Sequence, residues 1–175
     1  NRMSKIIKSL LMISKIDNEQ FLKNETVNIK ALIQEIVEDF QEHLSTKNIR
    51  LYIQHLDDFE FPNANRTLLF TLFSNIITNA IKYNVENGQI DISATKQGSV
   101  FVVEIRDTGV GIVKENLTHI FDRFKKFNKS TEPSFGLGLA IVKTISDFHR
   151  LTLSVSSEAN KGTTFRVEFP VSSFT

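Results

Sequence analysis

Stretches with a helical apolar period alternate along this chain with stretches of period two, and that alternation lays out most of its elements. Met3, Ile6, Leu10 and Ile13 recur at spacings of three and four, with Ile7, Leu11 and Ile16 widening the stripe. They predict a helix over about 1–22 whose seam is wide enough for a bundle partner. The polar runs DNEQ (17–20) and KNET (23–26) then predict a linker near Lys23. A second helix is expected over about 29–47, capped by Asn28, with Ile29, Leu32, Ile33, Ile36, Val37, Phe40 and Leu44 on one face. IRLYIQH (49–55) alternates like a strand. Asn65 can cap a further helix that carries Leu68, Leu69, Leu72, Phe73, Ile76 and Ile77 inward. Two hairpins follow, QIDISATK with SVFVVEIR about Gly98, and LTLSVSS with TTFRVEF. The glycines are all expected at turns or helix starts, as are Pro62 and Pro133, and Pro170 closes the last strand. The class is α/β: a two-layer sandwich, with a mixed sheet covered on one face by helices.

Composition changes this picture mainly by exclusion. With 175 residues, the chain suits one compact domain plus a short appendage. A formal net charge of +1 gives no global field towards nucleic acid or anionic lipid, so no nucleic-acid partner is expected. The absence of Cys excludes disulfides and cysteine-based zinc or redox sites, which fits a cytoplasmic setting. No apolar run approaches the roughly 18 residues of a membrane span. The chain opens at Asn1 inside a helical pattern without an initiator Met, and reads as a fragment whose parent could be anchored in the inner membrane.

Four segments carry chemistry. In NIITNAIKYN (75–84), Asn75 and Asn79 lie four apart, so both amides project from one helix face. An amide oxygen is a hard ligand suited to Mg²⁺. Lys82 can set an ammonium against phosphate, and Tyr83 offers an aromatic plane. In isolation such a pair is more often the wet side of a helix. No carboxylate occurs between Glu60 and Glu86, so this helix offers no general base to activate water. In DTGVGI (107–112), Asp107 ends an apolar strand and can accept from an adenine amino group, while Gly109 and Gly111 let backbone pass close to a base. By itself this is also a common strand-ending turn. In IFDRF (120–124) and the residues after it, Phe121, Phe124 and Phe127 are interleaved with Arg123, Lys125 and Lys126, which suits either core or a hinge near phosphate. In FGLGLAI (135–141), Gly136, Leu137 and Gly138 open a helix whose free N–H groups suit a phosphate.

In this order the four segments resemble the N, G1, F and G2 boxes of the histidine kinase catalytic domain, and the resemblance covers nearly the whole chain. It implies a Bergerat-type ATP-binding fold with ATP and Mg²⁺ as cofactors. Asn75 and Asn79 would ligate the metal, and Asn75, Lys82 and Lys126 would serve transfer. Asn79, Tyr83, Asp107, Gly109, Gly111, Phe124, Gly136, Leu137, Gly138 and Thr163 would hold the nucleotide, under a lid spanning 128–134. Related hydrolytic ATPases place a glutamate at the position of Asn75, so the resemblance points towards phosphoryl transfer to a side chain. The family usually has glycine where this chain has Ser134 and Asn160, and both changes stiffen backbone near the nucleotide.

A histidine kinase also needs an acceptor histidine, typically followed by an acidic residue. Here His43 and His55 are followed by Leu, His119 by Ile and His149 by Arg. Residues 1–23 therefore resemble the second part of a dimerisation hairpin and linker, whose acceptor-bearing half lies elsewhere, and 24–175 the catalytic domain. The implied partners are the parent's dimerisation and phosphotransfer helices and a response regulator receiver domain, in a homodimeric parent. Two other readings stay open: a non-catalytic nucleotide-binding module, and an ATPase or serine kinase of the same superfamily.

Overall fold

The computed structural model describes residues 1–126 and 136–171. In chain order the elements are α1 (Arg2–Asp17), β1 (Glu25–Asn28), α2 (Ile29–Asp39), α3 (Gln41–Thr46), β2 (Arg50–Leu56), β3 (Glu60–Ala64), α4 (Arg66–Lys82), β4 (Gln89–Gln97), β5 (Val100–Asp107), α5 (Lys114–Leu117), α6 (Gly138–Phe148), β6 (Thr152–Glu158) and β7 (Gly162–Pro170). Five strands form one sheet in the order β2-β4-β5-β7-β6. Only β2 and β4 run parallel, so the sheet is mixed. Ile90, Ile92, Ala94, Phe101, Val103, Ile105, Phe165, Val167 and Phe169 form its buried face. Leu68, Leu69, Leu72, Phe73, Ile76 and Ile77 of α4, all fully buried, belong to the same core. The opposite face carries Glu104, Arg166 and Glu168 in an ion-pair ladder. This is the two-layer arrangement that the alternation predicts.

Both expected caps form. The Asn28 side chain accepts from Ala31 N at 2.8 Å, and that of Asn65 from Leu68 N at 3.0 Å. The helix expected over 29–47 is instead two. It breaks at Phe40, where the Phe40 N–H reaches back to the Val37 carbonyl and tightens the last turn of α2. A short α3 then buries Leu44, and the Lys47 amine at its end donates to the Ile81 and Lys82 carbonyls, tying down the C-terminus of α4.

Pro62 does not sit at a turn. It lies inside β3, which pairs with β1 in a separate two-stranded sheet. The register slips there, with Val27 opposite Phe61 but Glu25 opposite Ala64, and Asn63 takes a positive φ of 52°. A bulge on a small edge ladder tolerates a residue that lacks an N–H. Pro133 lies outside the described residues. Ile13 and Ile16 of α1 are buried in the common core, and α1 packs on α6, whereas Met3, Ile7 and Leu11 remain exposed. The following linker is held by two hydrogen bonds: Lys23 Nζ donates to the Phe148 carbonyl and Asn65 Nδ2 to the Leu22 carbonyl.

Candidate nucleotide site

The site grows from the C-terminal half of α4, the end of β5 and the start of α6. Helical spacing brings Asn75, Thr78, Asn79 and Lys82 to one side of α4, and all four line a cavity of about 230 Å³. Tyr83, Asp107, Gly111, Ile112, Lys126 and Thr163 line it too, with Gly136 and Gly138 at the start of α6. Asn75 Nδ2 donates to the Thr71 carbonyl at 3.0 Å, which fixes the amide and leaves Oδ1 towards Gly138. The Lys82 ammonium lies 5.5 Å from the centre of the Tyr83 ring.

Asp107 is the buried charge of the cavity, only 6% exposed. Its Oδ1 accepts from Gly109 N at 2.8 Å and Thr163 N at 3.3 Å, and Oδ2 accepts from neither. Burial pushes its carboxyl up to about 6, against the two backbone hydrogen bonds that lower it. The loop that follows is anchored at both ends. A Cβ on Gly109 would lie 2.3 Å from the Tyr83 carbonyl oxygen, whose bond from Val110 N ties the loop to α4. Gly111 has φ +67°, and a Cβ there would lie 2.0 Å from the Glu158 carbonyl oxygen.

Three expected nucleotide contacts lie outside the cavity lining. Gly109 packs against α4, the Leu137 side chain is buried in the core, and Phe124 points outward at 57% exposure. The Phe124 backbone is an anchor: at φ 65° its N–H donates to the Gly136 carbonyl at 2.8 Å, just before α6. Asn160 also has positive φ, 64°, a conformation in which Asn is the best substitute for Gly. The change from glycine there leaves the turn formed, and Asn160 N donates to the Val110 carbonyl. Ser134, Phe127 and the lid expected over 128–134 lie outside the described residues.

Several lining residues have no ligand role in the motif pattern, although most sit inside the four segments. Thr78 is three residues beyond Asn75 on the same helix face, and Phe165 two beyond Thr163 on the same strand face, so periodicity alone would find both. Ile112, Ile120, Lys125 and Leu139 come together only in the tertiary fold. Of the histidines, His149 is buried: Asn65 N donates to its Nε2, and Nδ1 donates to the Ile145 carbonyl. His119 pairs on the surface with Asp122.

Amide oxygens on α4, an ammonium and uncapped helix N–H groups around one cavity are a donor set for a metal-bound phosphate chain. Among the described residues no cluster of three His, Cys, Asp or Glu could hold a metal, and Mg²⁺ ordinarily completes its shell with waters and phosphate oxygens. Residues 64–173 match the family of histidine kinase-, DNA gyrase B- and HSP90-like ATPases. The heme sensor protein HssS of Staphylococcus saprophyticus is 36% identical over 169 residues, 96% of this chain and 36% of its own length. The sensor histidine kinase RppB of Synechocystis is 31% identical, over 97% of this chain and 38% of its own. Histidine kinase ThkA, solved in complex with the response regulator TrrA, superposes with a TM-score of 0.77 at 26% identity, covering 98% of this chain and 49% of ThkA. The chain thus spans little more than a third of the length of these curated relatives. It belongs to the histidine kinase-, DNA gyrase B- and HSP90-like ATPase family, and within it is an ATP-binding catalytic domain of the sensor histidine kinase kind.

Proposed function

We propose that the α4–β5–α6 cavity binds Mg–ATP and presents its γ-phosphoryl group to a histidine on a dimerisation helix of a longer parent. An aspartate on a response regulator receiver domain would then accept that group. The observation that carries this reading is the composition of the cavity. Asp107 supplies its carboxylate, α4 supplies amides and an ammonium, and no residue of α4 is an acid. Efficient hydrolysis uses a base or a water-positioning residue beside the γ-phosphate, and α4 supplies no base; a neutral histidine imidazole attacks with its own lone pair.

In this reading Asp107 accepts from the adenine amino group, beside Thr163 and the backbone at Gly111. Asn75 and Asn79 would hold the metal through their amide oxygens, and the metal would supply charge neutralisation to the phosphate chain when bound. Lys82 and Lys126 add cations, and the N–H groups at Gly138 face the phosphates with the positive end of the α6 dipole. Catalysis is then positioning and charge neutralisation. Residues 1–23 form part of the dimerisation hairpin and its linker, 24–175 the catalytic domain. The parent acts in the cytoplasm as a homodimer.

Incubation with γ-labelled ATP tests this. The chain alone should bind ATP, yet neither label itself nor turn ATP over quickly. Adding a dimerisation hairpin that carries the acceptor histidine should restore transfer in trans. Robust acid-labile labelling of the chain alone would place the acceptor among its four histidines and refute the division of labour.

A further inference from the structure

Ser157, on β6, is not among the residues lining the cavity, yet its hydroxyl binds two lining residues, Ile112 and Thr163, and the Gly162 carbonyl beside them. Ile112 N donates to Ser157 Oγ at 2.8 Å. The Gly162 carbonyl oxygen and Thr163 Oγ1 each lie 2.8 Å from the same atom. A serine hydroxyl has one proton and two lone pairs. The carbonyl of Gly162 can only accept, so the proton of Ser157 goes there. The amide of Ile112 can only donate and takes one lone pair. The remaining lone pair faces Thr163, whose hydroxyl must then spend its own proton on Ser157. Whatever else meets Thr163 Oγ1 meets an acceptor.

Thr163 lines the cavity and lies directly opposite Asp107 in the β5–β7 register. Resting on the nucleotide reading above, we propose that Ser157 is a positioning residue that fixes the Thr163 hydroxyl as an acceptor and so sets the preference for a 6-amino over a 6-keto purine. Asp107 Oδ2 and Thr163 Oγ1 then form a wall of two acceptors. An amino group donates to such a wall, directly or through water, whereas a keto oxygen brings a third acceptor to it. Without Ser157 the Thr163 proton can turn into the cavity and donate to a keto oxygen.

Competitive titration of Mg–ATP against Mg–ITP, which differs in carrying a keto group at C6, tests this. Wild type should favour ATP. Ser157→Ala should narrow the ATP:ITP ratio roughly threefold to tenfold, the worth of one hydrogen bond, chiefly by tightening ITP. Ser157→Thr, which keeps the hydroxyl, should retain the wild-type ratio. Thr163→Val should also narrow the ratio, and adding Ser157→Ala to it should change the ratio no further. Equal weakening of both nucleotides by Ser157→Ala means a merely structural role and overturns the proposal. If that variant does not fold, Thr163→Val decides, and an unchanged ratio there overturns it. A wild type that binds neither nucleotide brings down the nucleotide reading itself, whereas wild-type ATP binding with an unmoved ratio in the variants removes only the role of Ser157.

Discussion

Asparagine at position 107 would keep the shape of the side chain and the acceptor that Gly109 and Thr163 require, while exchanging the rest of the carboxylate for a donor. Its Oδ1 can take both backbone N–H groups, which puts Nδ2 where Oδ2 now stands. An adenine amino group then meets a donor in place of a charged acceptor. A hydrogen bond to a charged group contributes about 1.5–3 kcal/mol, so ATP affinity should fall roughly 10- to 100-fold. Stability should move the other way. Burial raises Asp107 from its ordinary 3.8 to about 6, so the folded protein holds this proton more tightly than the unfolded chain. Ionisation therefore lowers stability as pH rises through that window, by about 3 kcal/mol at neutrality. Asparagine, neutral like the protonated acid, escapes that cost. Calorimetric ATP titration at neutral pH, with melts of the ligand-free protein from about pH 4 to 7.5, reads both effects. Asp107→Asn should melt above wild type at pH 7.5, with the difference gone near pH 4. Unchanged ATP affinity, or GTP bound as tightly as ATP, refutes the adenine assignment. A variant that melts lower at neutral pH refutes the burial argument.

The same carboxylate should make wild-type ATP affinity fall as pH drops below about 6, with proton release on binding in that range by calorimetry in buffers of different ionisation enthalpy. Asn79→Ala should weaken Mg–ATP binding while leaving the ligand-free melting temperature little changed, because its amide lines the cavity; a large drop without nucleotide would make the residue structural. Burial, with Lys23 adding to it, holds His149 below its ordinary 6.5 despite the Ile145 carbonyl. Its contribution is thus present above that value and lost as pH falls beneath it. In the Asp107→Asn background, which removes the opposing slope, His149→Ala should flatten this acid loss in denaturant titrations. Gly111→Ala should lower stability by more than about 2 kcal/mol, since the added carbon must displace the Glu158 backbone and accept a left-handed φ; an unchanged melting temperature would contradict the packing.

Local pattern by itself determined the α/β class, both N-caps, the two hairpins and the inward faces of α4, β5 and β7. These follow from periods of 3.6 and 2 and from Asn at a helix start, which are properties of neighbouring residues. Motif spacing likewise carried Asn75 and Asn79 to one helix face and Asp107 to a strand end. The break at Phe40 was not legible, because apolar spacing runs unbroken from Ile29 to Leu44 and only packing makes α3 turn to bury Leu44. The β1–β3 ladder was hidden for a similar reason. Glu25–Asn28 and the residues around Pro62 are too short and too mixed with polar residues and Pro to read as strands, and pair only because each gives the other a partner 32 or more residues away in sequence. Phe124 reads from sequence as a nucleotide contact, while its backbone bond to Gly136 and its exposed side chain belong to the tertiary structure. The junction of Ser157, Ile112, Gly162 and Thr163 belongs wholly to the tertiary structure. A hydroxyl's preference between donating and accepting is decided by whichever groups the fold brings within 3 Å, and no spacing along the chain encodes that.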